Sequence, residues 1–258
     1  MYMKKVIFID IGAFYITYYY GFFDFLFTHY GIEKFKDVYF EGVSAGGQIS
    51  ASCIFTIHGL KNMKYWFKKG PKQLVSSDSL RNQKATQFFR EFSESSYKKT
   101  TQEQKDAIQK YFSTLSSSHD YEPYWFRNID TSHKFASAIS STGNIPIVGS
   151  TSPILHDDCC LWDGYFCKKF GGYNYYKTNP GEKKLIISWE KDIPRVENAR
   201  VLDLNKYFMY SHFFSFLPFL LNSSMGSVYC DELYDIGYND AQQKIAEIDT
   251  FIQYLFNE

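Results

Sequence analysis

The stretch GVSAG, residues 42–46, joins a short run of β-forming residues to a segment of small residues. Its pattern is Gly-x-Ser-x-Gly. Between a strand and a helix, this pattern places the serine on a sharp, strained turn with its hydroxyl beyond the end of the strand. The flanking glycines allow the tight backbone path that such a turn needs. The stretch therefore predicts strand, elbow and helix in that order, with Ser44 as a candidate nucleophile and Gly42 and Gly46 as the elbow glycines. A glycine-rich turn without a catalytic role is the alternative.

The residues on either side of this turn predict alternating strands and helices. Runs 4–10 and 37–44 are short, apolar and rich in β-forming residues, which is typical of buried strands. Segment 14–31 is longer and apolar nearly all round, which favours a buried helix. Segment 46–59 is rich in small residues and ends at Gly59, and we interpret it as a second helix. A strand-helix-strand-helix order indicates an α/β fold, with a mainly parallel sheet flanked by helices in a three-layer sandwich.

The rest of the chain fits the same class, with one domain over residues 1–258. We predict the following elements: mostly helical structure over 60–130 with a capping box at Thr101 and Gln104, a loop over 116–125, a helix over 132–143, strands over 145–150 and 183–189, and an amphipathic helix over 230–256 lying on the sheet.

Composition excludes some classes of protein. The chain has 28 basic and 28 acidic residues, so a general electrostatic attraction to nucleic acid is not expected. Five cysteines form no Cys-x-x-Cys pair, which is typical of reduced thiols in an intracellular protein. The N-terminus lacks the length and cleavage site of a signal peptide, and no run of about 18 clean apolar residues predicts a membrane-spanning helix. We expect an intracellular location, cytoplasmic or organellar, with at most peripheral contact with a membrane.

A nucleophilic serine needs a base, and the sequence offers two kinds of candidate. Of the six histidines, His212 is the one placed late in the chain, where a serine–histidine–acid order would need it. It lies in the aromatic stretch 207–221, and we interpret it as a packing residue. The other candidate is Asp163, which follows a short apolar run and precedes Gly164. Burial there would raise its pKa into the range that suits a general base, although a simple Asp-Gly turn is the alternative.

One further cluster has the residue types of a metal site. The run HDDCC, residues 156–160, places its potential ligands side by side rather than at spacings that converge on one ion. We therefore predict no metal, and no cofactor is implied by any motif.

Taken in order along the chain, these features resemble the patatin-like phospholipase family, in particular its animal triglyceride-lipase-like branch. The resemblance lies in the GVSAG elbow followed by a small-residue helix, and in Asp163-Gly164 at the end of a predicted strand. Segments 9–26, 135–150 and 233–245 are similar to the family's oxyanion loop and following helix, its segment before the aspartate, and its last helix.

The resemblance implies a lipid acyl hydrolase with a serine–aspartate dyad of Ser44 and Asp163, and no catalytic histidine. It also implies an oxyanion hole made of the backbone N–H groups of Gly12, Ala13 and Ala45. The chain departs from the family at this loop. Over residues 11–16 only Gly12 remains of the usual glycines, and Tyr15 stands where the family has a basic residue.

Two functions follow as hypotheses. In the first, the protein cleaves phospholipid or acylglycerol esters, and its partners are a lipid ester substrate or a membrane surface, with no nucleic acid. The stretch 207–221 would then be a lipid-facing lid or interfacial patch. In the second, the altered oxyanion loop marks a catalytically inactive protein that keeps the fold as a structural or interaction subunit among protein partners.

Overall fold

The computed structural model describes residues 3–59, 61–77, 84–146, 150–206 and 223–257. It forms an α/β fold in which a mixed, mostly parallel sheet of eight strands is flanked by helices. The strands are β1 (Lys4–Ile9), β2 (Tyr39–Val43), β3 (Phe112–Ser118), β4 (Pro123–Phe126), β5 (Ile154–His156), β6 (Cys159–Asp163), β7 (Glu182–Ser188) and β8 (Ala199–Asp203).

The sheet has the order β5-β6-β3-β2-β1-β7-β8, and β4 pairs separately with β3. The five strands β3, β2, β1, β7 and β8 run parallel to one another, whereas β4, β5 and β6 add antiparallel pairings. Because β1 and β2 lie inside the parallel part, the segments that follow them leave the same edge of the sheet. This edge carries both the loop after β1 and the predicted elbow after β2.

The helices are α1 (Ile16–Tyr30), α2 (Ala45–Ile57), α3 (Met63–Lys69), α4 (Pro71–Ser76), α5 (Ala85–Lys98), α6 (Gln102–Tyr111), α7 (Ser132–Thr142), α8 (Tyr165–Lys169), α9 (Ser223–Gln243) and α10 (Ile245–Phe256). Short 3₁₀ turns lie at Ala13–Tyr15, Ile32–Phe35 and Leu204–Lys206. Among the described residues, no helix combines the length and the apolar character needed to cross a lipid bilayer.

Alternation along β1 shows how the sheet separates two apolar layers. Ile7 and Ile9 belong to the large core that includes the buried residues of α1 and α2. Phe8, between them, belongs to a second core formed with Tyr175 and Tyr176 on the other face. Successive strand residues point to opposite faces, so an unbroken apolar run is what a strand covered on both sides requires. The prediction of a buried parallel sheet flanked by helices is confirmed.

Some element boundaries differ from the prediction. The predicted loop over 116–125 is wrong, because β3 continues to Ser118 and β4 begins at Pro123 to form an antiparallel hairpin. The run of serines did not predict a strand, because serine is not a typical strand residue. In the fold, the hydroxyls of Ser116 and Ser141 lie 2.8 Å apart, so that the buried serine of β3 is satisfied by a partner on α7.

The C-terminal segment also differs. In place of one helix over 230–256 the chain forms α9 and α10, which are separated at Lys244 by a break that carries no glycine or proline to mark it. The strand β5 was not predicted because it has only three residues, and β8 was not predicted either. The strand predicted over 145–150 is represented by a single bridge between Pro146 and Ser150, with residues 147–149 outside the described ranges. The aromatic stretch 207–221, including His212, also lies outside them.

Candidate active site

Ser44 occupies the strained turn that the sequence predicts. It lies between the end of β2 and the start of α2, with φ 57° and ψ −132°. A non-glycine residue at positive φ costs roughly 1–3 kcal/mol and persists only where the surrounding structure enforces it. The side chain is almost completely buried. The elbow prediction is therefore confirmed in its geometry.

The two elbow glycines are required by close backbone contacts. A Cβ atom on Gly46 would lie 2.0 Å from the carbonyl oxygen of Ile9, at the end of the neighbouring strand. A Cβ atom on Gly42 would lie 2.4 Å from the backbone of Gly46 itself. Helix α2 can therefore start directly against β1 and β2, which brings Ser44 close to the loop that follows β1.

Strand β3 sets the position of Asp163 relative to Ser44. Val43, the last residue before the serine, is paired with Leu115, and Asp163 is paired with the next residue of β3, Ser116. The ends of β2 and β6 therefore meet at neighbouring register positions of one strand. Ser44 and Asp163 are 119 positions apart in the sequence, but this pairing brings them to one site.

The carboxyl group of Asp163 has the environment of a general base. It is 1% exposed, and burial raises its pKa from 3.8 to about 7 against two opposing hydrogen-bonding effects, from the Tyr165 N–H and the Ser44 hydroxyl. The Tyr165 N–H donates to Oδ1 at 2.8 Å. Oδ2 is buried and has no hydrogen-bond partner among the described residues, although the Ser44 hydroxyl is near enough to lower the pKa of the carboxyl group. Catalytic hydrogen bonds are often loose before substrate binds.

The loop after β1 faces the serine. Gly12 and Ala13 line the same cavity as Ser44 and Asp163. Ala13 has φ 42°, a left-handed conformation in an L-residue and the second strained position of the site. Among the described residues, the Ile11 N–H donates to Asp10 Oδ1, the Tyr15 N–H to the Gly12 carbonyl and the Ile16 N–H to the Ala13 carbonyl, and none of these bonds uses the N–H of Gly12 or Ala13. The loop thus keeps a bent path even though it lacks most of the glycines that such loops usually carry.

The third oxyanion candidate, Ala45, is the first residue of α2. The N–H groups in the first turn of a helix have no partner within the helix, so they are available to a negative charge. Ala45 does not line the cavity with its side chain, and its contribution would come from its backbone N–H alone.

Sequence reasoning missed Thr142, which fixes the elbow from behind. Its Oγ1 accepts a hydrogen bond from the Ser44 N–H at 2.9 Å, and its hydroxyl donates to the Leu115 carbonyl at 2.8 Å. The Thr114 hydroxyl lies 2.9 Å from the same oxygen. Thr142 ends α7, about 100 residues after the serine, and no local pattern in the sequence marks this long-range contact.

The cavity above these residues has a volume of about 420 Å³. This is within the range of ligand pockets, roughly 300–1,000 Å³. Apart from Ser44 and Asp163 its lining is mostly apolar and aromatic: Ile11, Gly12, Ala13, Tyr15, Ile145, Tyr165, Phe166 and Trp189. A site with a hydroxyl and a carboxyl group under an apolar chamber can receive a long apolar molecule and react at one end of it.

The run HDDCC forms the hairpin between β5 and β6. Asp157 and Asp158 occupy its turn with φ 46° and 60°, the positive pair of a type I′ turn. His156 is buried, whereas Cys160 is exposed. Side chains that alternate between two faces do not converge on one point. Within the described parts of the chain, no group of three or more histidine, cysteine or acidic side chains could hold a metal ion.

A scan of the chain against protein-family models finds no match, and a search of curated proteins finds no similar sequence.

Proposed function

We propose that the protein is a lipid acyl hydrolase that cleaves phospholipid or acylglycerol esters with a dyad of Ser44 and Asp163. One observation carries the proposal. A buried carboxyl group with a pKa of about 7 lines the same mostly apolar cavity as a serine held in a strained elbow, and the serine hydroxyl is near enough to affect that pKa. A base whose pKa lies near neutral pH suits proton transfer at that pH.

In the first half of the reaction, Ser44 Oγ attacks the ester carbonyl carbon and its proton passes to Asp163. The carbonyl oxygen gains the negative charge, which the N–H groups of Gly12, Ala13 and Ala45 stabilise by hydrogen bonding. When the tetrahedral intermediate collapses, the bond to the alcohol oxygen breaks and Asp163 returns the proton to that oxygen. The alcohol leaves, and the acyl group stays on Ser44.

In the second half, water attacks the acyl carbonyl and gives its proton to Asp163. Collapse of this intermediate breaks the bond to Ser44 Oγ, which regains the proton, and the fatty acid leaves. The same carboxyl group acts as base and acid in turn, so the cycle balances without a histidine. Each half of the reaction needs Asp163 ionised at its start and protonated when the tetrahedral intermediate collapses. A pKa of about 7 leaves the carboxyl group ionised in half of the molecules at that pH.

The lining of the cavity supports an acyl substrate. Ile11, Phe166 and Trp189 present apolar surface next to the serine, where the first carbons of an acyl chain would lie. Burying such a chain contributes about 0.8 kcal/mol for each methylene group. The described lining includes no lysine or arginine that would prefer a charged substrate at this position.

The second candidate function is that of a catalytically inactive binding or structural protein. The oxyanion loop is the observation that favours it, because Ile11 and Ala13 stand where smaller or more flexible residues are usual. Loss of one oxyanion donor can slow a reaction by about 10²–10³. The two candidates differ in whether Ser44 reacts.

A fluorophosphonate probe tests this reactivity directly. We expect the probe to label the folded protein, Ser44→Ala to abolish labelling, and Asp163→Asn to slow it by at least about 100-fold, since the base is lost. Ser50→Ala is a matched control, because Ser50 is a buried serine of α2 that does not line the cavity. Absence of both labelling and ester hydrolysis in well-folded protein would leave the inactive candidate.

A further inference from the structure

We propose that Asp10 is the positioning residue of the oxyanion loop and that it works as a neutral carboxylic acid, within a hydrogen-bonded chain that continues through Tyr176 and Glu190 to Lys168. This inference rests on the proposed function, since it concerns the same site. It adds Asp10, which does not touch the substrate but positions the loop whose backbone N–H groups are proposed to contact it.

The carboxyl group of Asp10 is completely buried where β1 ends and the oxyanion loop begins. Its Oδ1 accepts hydrogen bonds from the Ile11 N–H at 2.8 Å and from the Tyr175 hydroxyl at 3.0 Å. Its Oδ2 lies 2.5 Å from the Ser188 hydroxyl and 2.5 Å from the Tyr176 hydroxyl. Four contacts on one buried side chain leave it little freedom to move.

The Tyr176 hydroxyl has more acceptors around it than one proton can serve. Its oxygen is 2.5 Å from Asp10 Oδ2 and 2.6 Å from Glu190 Oε2, and it accepts a hydrogen bond from Lys168 Nζ at 3.0 Å. A phenol donates one hydrogen bond, whereas an ionised carboxylate donates none. With both carboxyl groups ionised, one of these two short contacts would join oxygen atoms without a proton between them. The hydrogen-bonded chain from Asp10 to Glu190 therefore holds a second proton in addition to that of the Tyr176 hydroxyl.

The environment of the two carboxyl groups shows which of them holds this proton. Glu190 is partly exposed and forms an ion pair with Lys168, so a negative charge there has a cationic partner and contact with solvent. Asp10 is fully buried, and burial together with the nearby charge of Glu190 raises its pKa. The pKa values of Tyr175 and Tyr176 are also raised by burial, so both phenols stay protonated. Asp10 thus donates to Tyr176, and Tyr176 donates to Glu190.

The hydrogen-bonded chain from Asp10 to Lys168 joins two parts of the candidate site. At one end, the backbone of the loop is fixed on both sides of the Asp10–Ile11 peptide: the Asp10 N–H donates to the Ile187 carbonyl, and the Tyr19 hydroxyl lies within 3.3 Å of the carbonyl oxygens of Asp10 and Ile11. At the other end, Lys168 belongs to α8, which starts two residues after Asp163. The chain therefore sets the loop that carries Gly12 relative to the helix that follows the base.

A pair of substitutions separates the neutral acid from a carboxylate. In Asp10→Asn the amide oxygen can accept from Ile11 and Tyr175 while the amide N–H₂ donates to Tyr176, as a neutral acid does. In Asp10→Leu every one of these hydrogen bonds is lost. For a soluble short-chain ester we expect kcat of Asp10→Asn within about threefold of the unchanged protein. We expect kcat of Asp10→Leu to fall by about 100-fold with little change in KM, as for a misplacement of about 1 Å.

Tyr176→Phe tests the next member of the chain. It removes the hydroxyl that links Asp10 to Glu190, and we expect a loss of kcat of about tenfold or more. Tyr111→Phe is the matched control, because the Tyr111 hydroxyl also donates to a carboxylate, that of Asp37 at 3.0 Å, but does not line the cavity. A purely structural effect would lower the free energy of unfolding in both variants without lowering kcat of either folded protein.

The pH profile gives a readout that a merely structural role would not move. The groups that face Asp10 are Tyr175, Tyr176, Ser188 and Glu190. The hydroxyl of Tyr19, on α1, is a further neighbour, because burial and then the charge of Asp10 raise the pKa of Tyr19. When Asp10 loses its proton as the pH rises, the Tyr176 hydroxyl again has two anionic acceptors and the loop loses its fixed position. We expect kcat to fall on the alkaline side in the unchanged protein and to stay level there in Asp10→Asn.

Infrared spectroscopy separates this inference from the proposed function. A protonated carboxyl group gives a carbonyl band, and the difference between the unchanged protein and Asp10→Asn at neutral pH should contain it. If the band is present but neither the unchanged protein nor any variant hydrolyses esters, the inference that Asp10 is a neutral acid stands and the hydrolase proposal fails. If esters are cleaved but the band is absent, or Asp10→Asn is as inactive as Asp10→Leu, the inference is overturned.

Discussion

Thr142 Oγ1 accepts a hydrogen bond from the backbone N–H of Ser44 at 2.9 Å, so a side chain at the end of α7 holds the peptide group of the proposed nucleophile. Both groups are buried. We expect Thr142→Val to lower the free energy of unfolding by about 1–3 kcal/mol, because it leaves a buried N–H without an acceptor while keeping the shape of the side chain. Chemical denaturation measures this difference.

Thr142→Ser is the matched control, since it keeps the oxygen and removes a methyl group. We expect it to keep the labelling rate of Ser44, whereas Thr142→Val should slow labelling because the strained turn loses its anchor. Equal labelling rates in the two variants would show that the hydrogen bond does not position Ser44.

The pKa of Asp163 predicts how the rate depends on pH. The base must be ionised to accept the serine proton, and burial raises its pKa to about 7. We therefore expect kcat/KM to rise about tenfold for each pH unit up to this value and to stop rising above it. Hydrolysis of a soluble ester between pH 5 and 8 measures the profile. A rate that does not change between pH 5 and 7, as a base with the ordinary pKa of 3.8 would give, would contradict the assignment of Asp163 as the base.

The raised pKa of Asp163 also makes the free energy of unfolding depend on pH. The native protein holds the Asp163 proton more tightly than the unfolded chain, so its stability decreases as pH rises from about 4 to about 7. A pKa raised from 3.8 to about 7 corresponds to about 4 kcal/mol at most. We expect Asp163→Asn to be more stable than the unchanged protein at pH 8 and to lose this advantage at pH 4, as measured by denaturant unfolding at both values.

Ala13 offers a test of the altered oxyanion loop. Its φ of 42° costs an L-residue about 1–2 kcal/mol, which glycine does not incur. The larger backbone entropy of glycine in the unfolded chain offsets about 0.5–1 kcal/mol of this gain. We expect Ala13→Gly to raise the free energy of unfolding by about 1 kcal/mol. Ala51→Gly, in the right-handed helix α2, should lower it and serves as the control of opposite sign.

The local features of this protein could be predicted from the sequence because they depend on neighbouring residues. The apolar run of β1 predicted a strand covered on both faces, and the spacing of Gly42, Ser44 and Gly46 predicted the elbow. The capping box of Thr101 and Gln104 starts α6 as expected. The prediction was wrong for β3, because its serines carry no local signal for a strand. The buried hydroxyl of Ser116 is satisfied by that of Ser141 on α7, a contact between distant segments.

The candidate site divides in the same way. The sequence by itself predicted Ser44 and Asp163 as the candidate residues, and it determined that the serine lies on a strained turn. Only the tertiary structure decided that β3 brings the two together, that burial raises the pKa of Asp163, and that Thr142 and Asp10 hold the backbone around them. The physical reason is that register, burial and long-range hydrogen bonds arise between segments far apart in the chain, and no short pattern encodes them.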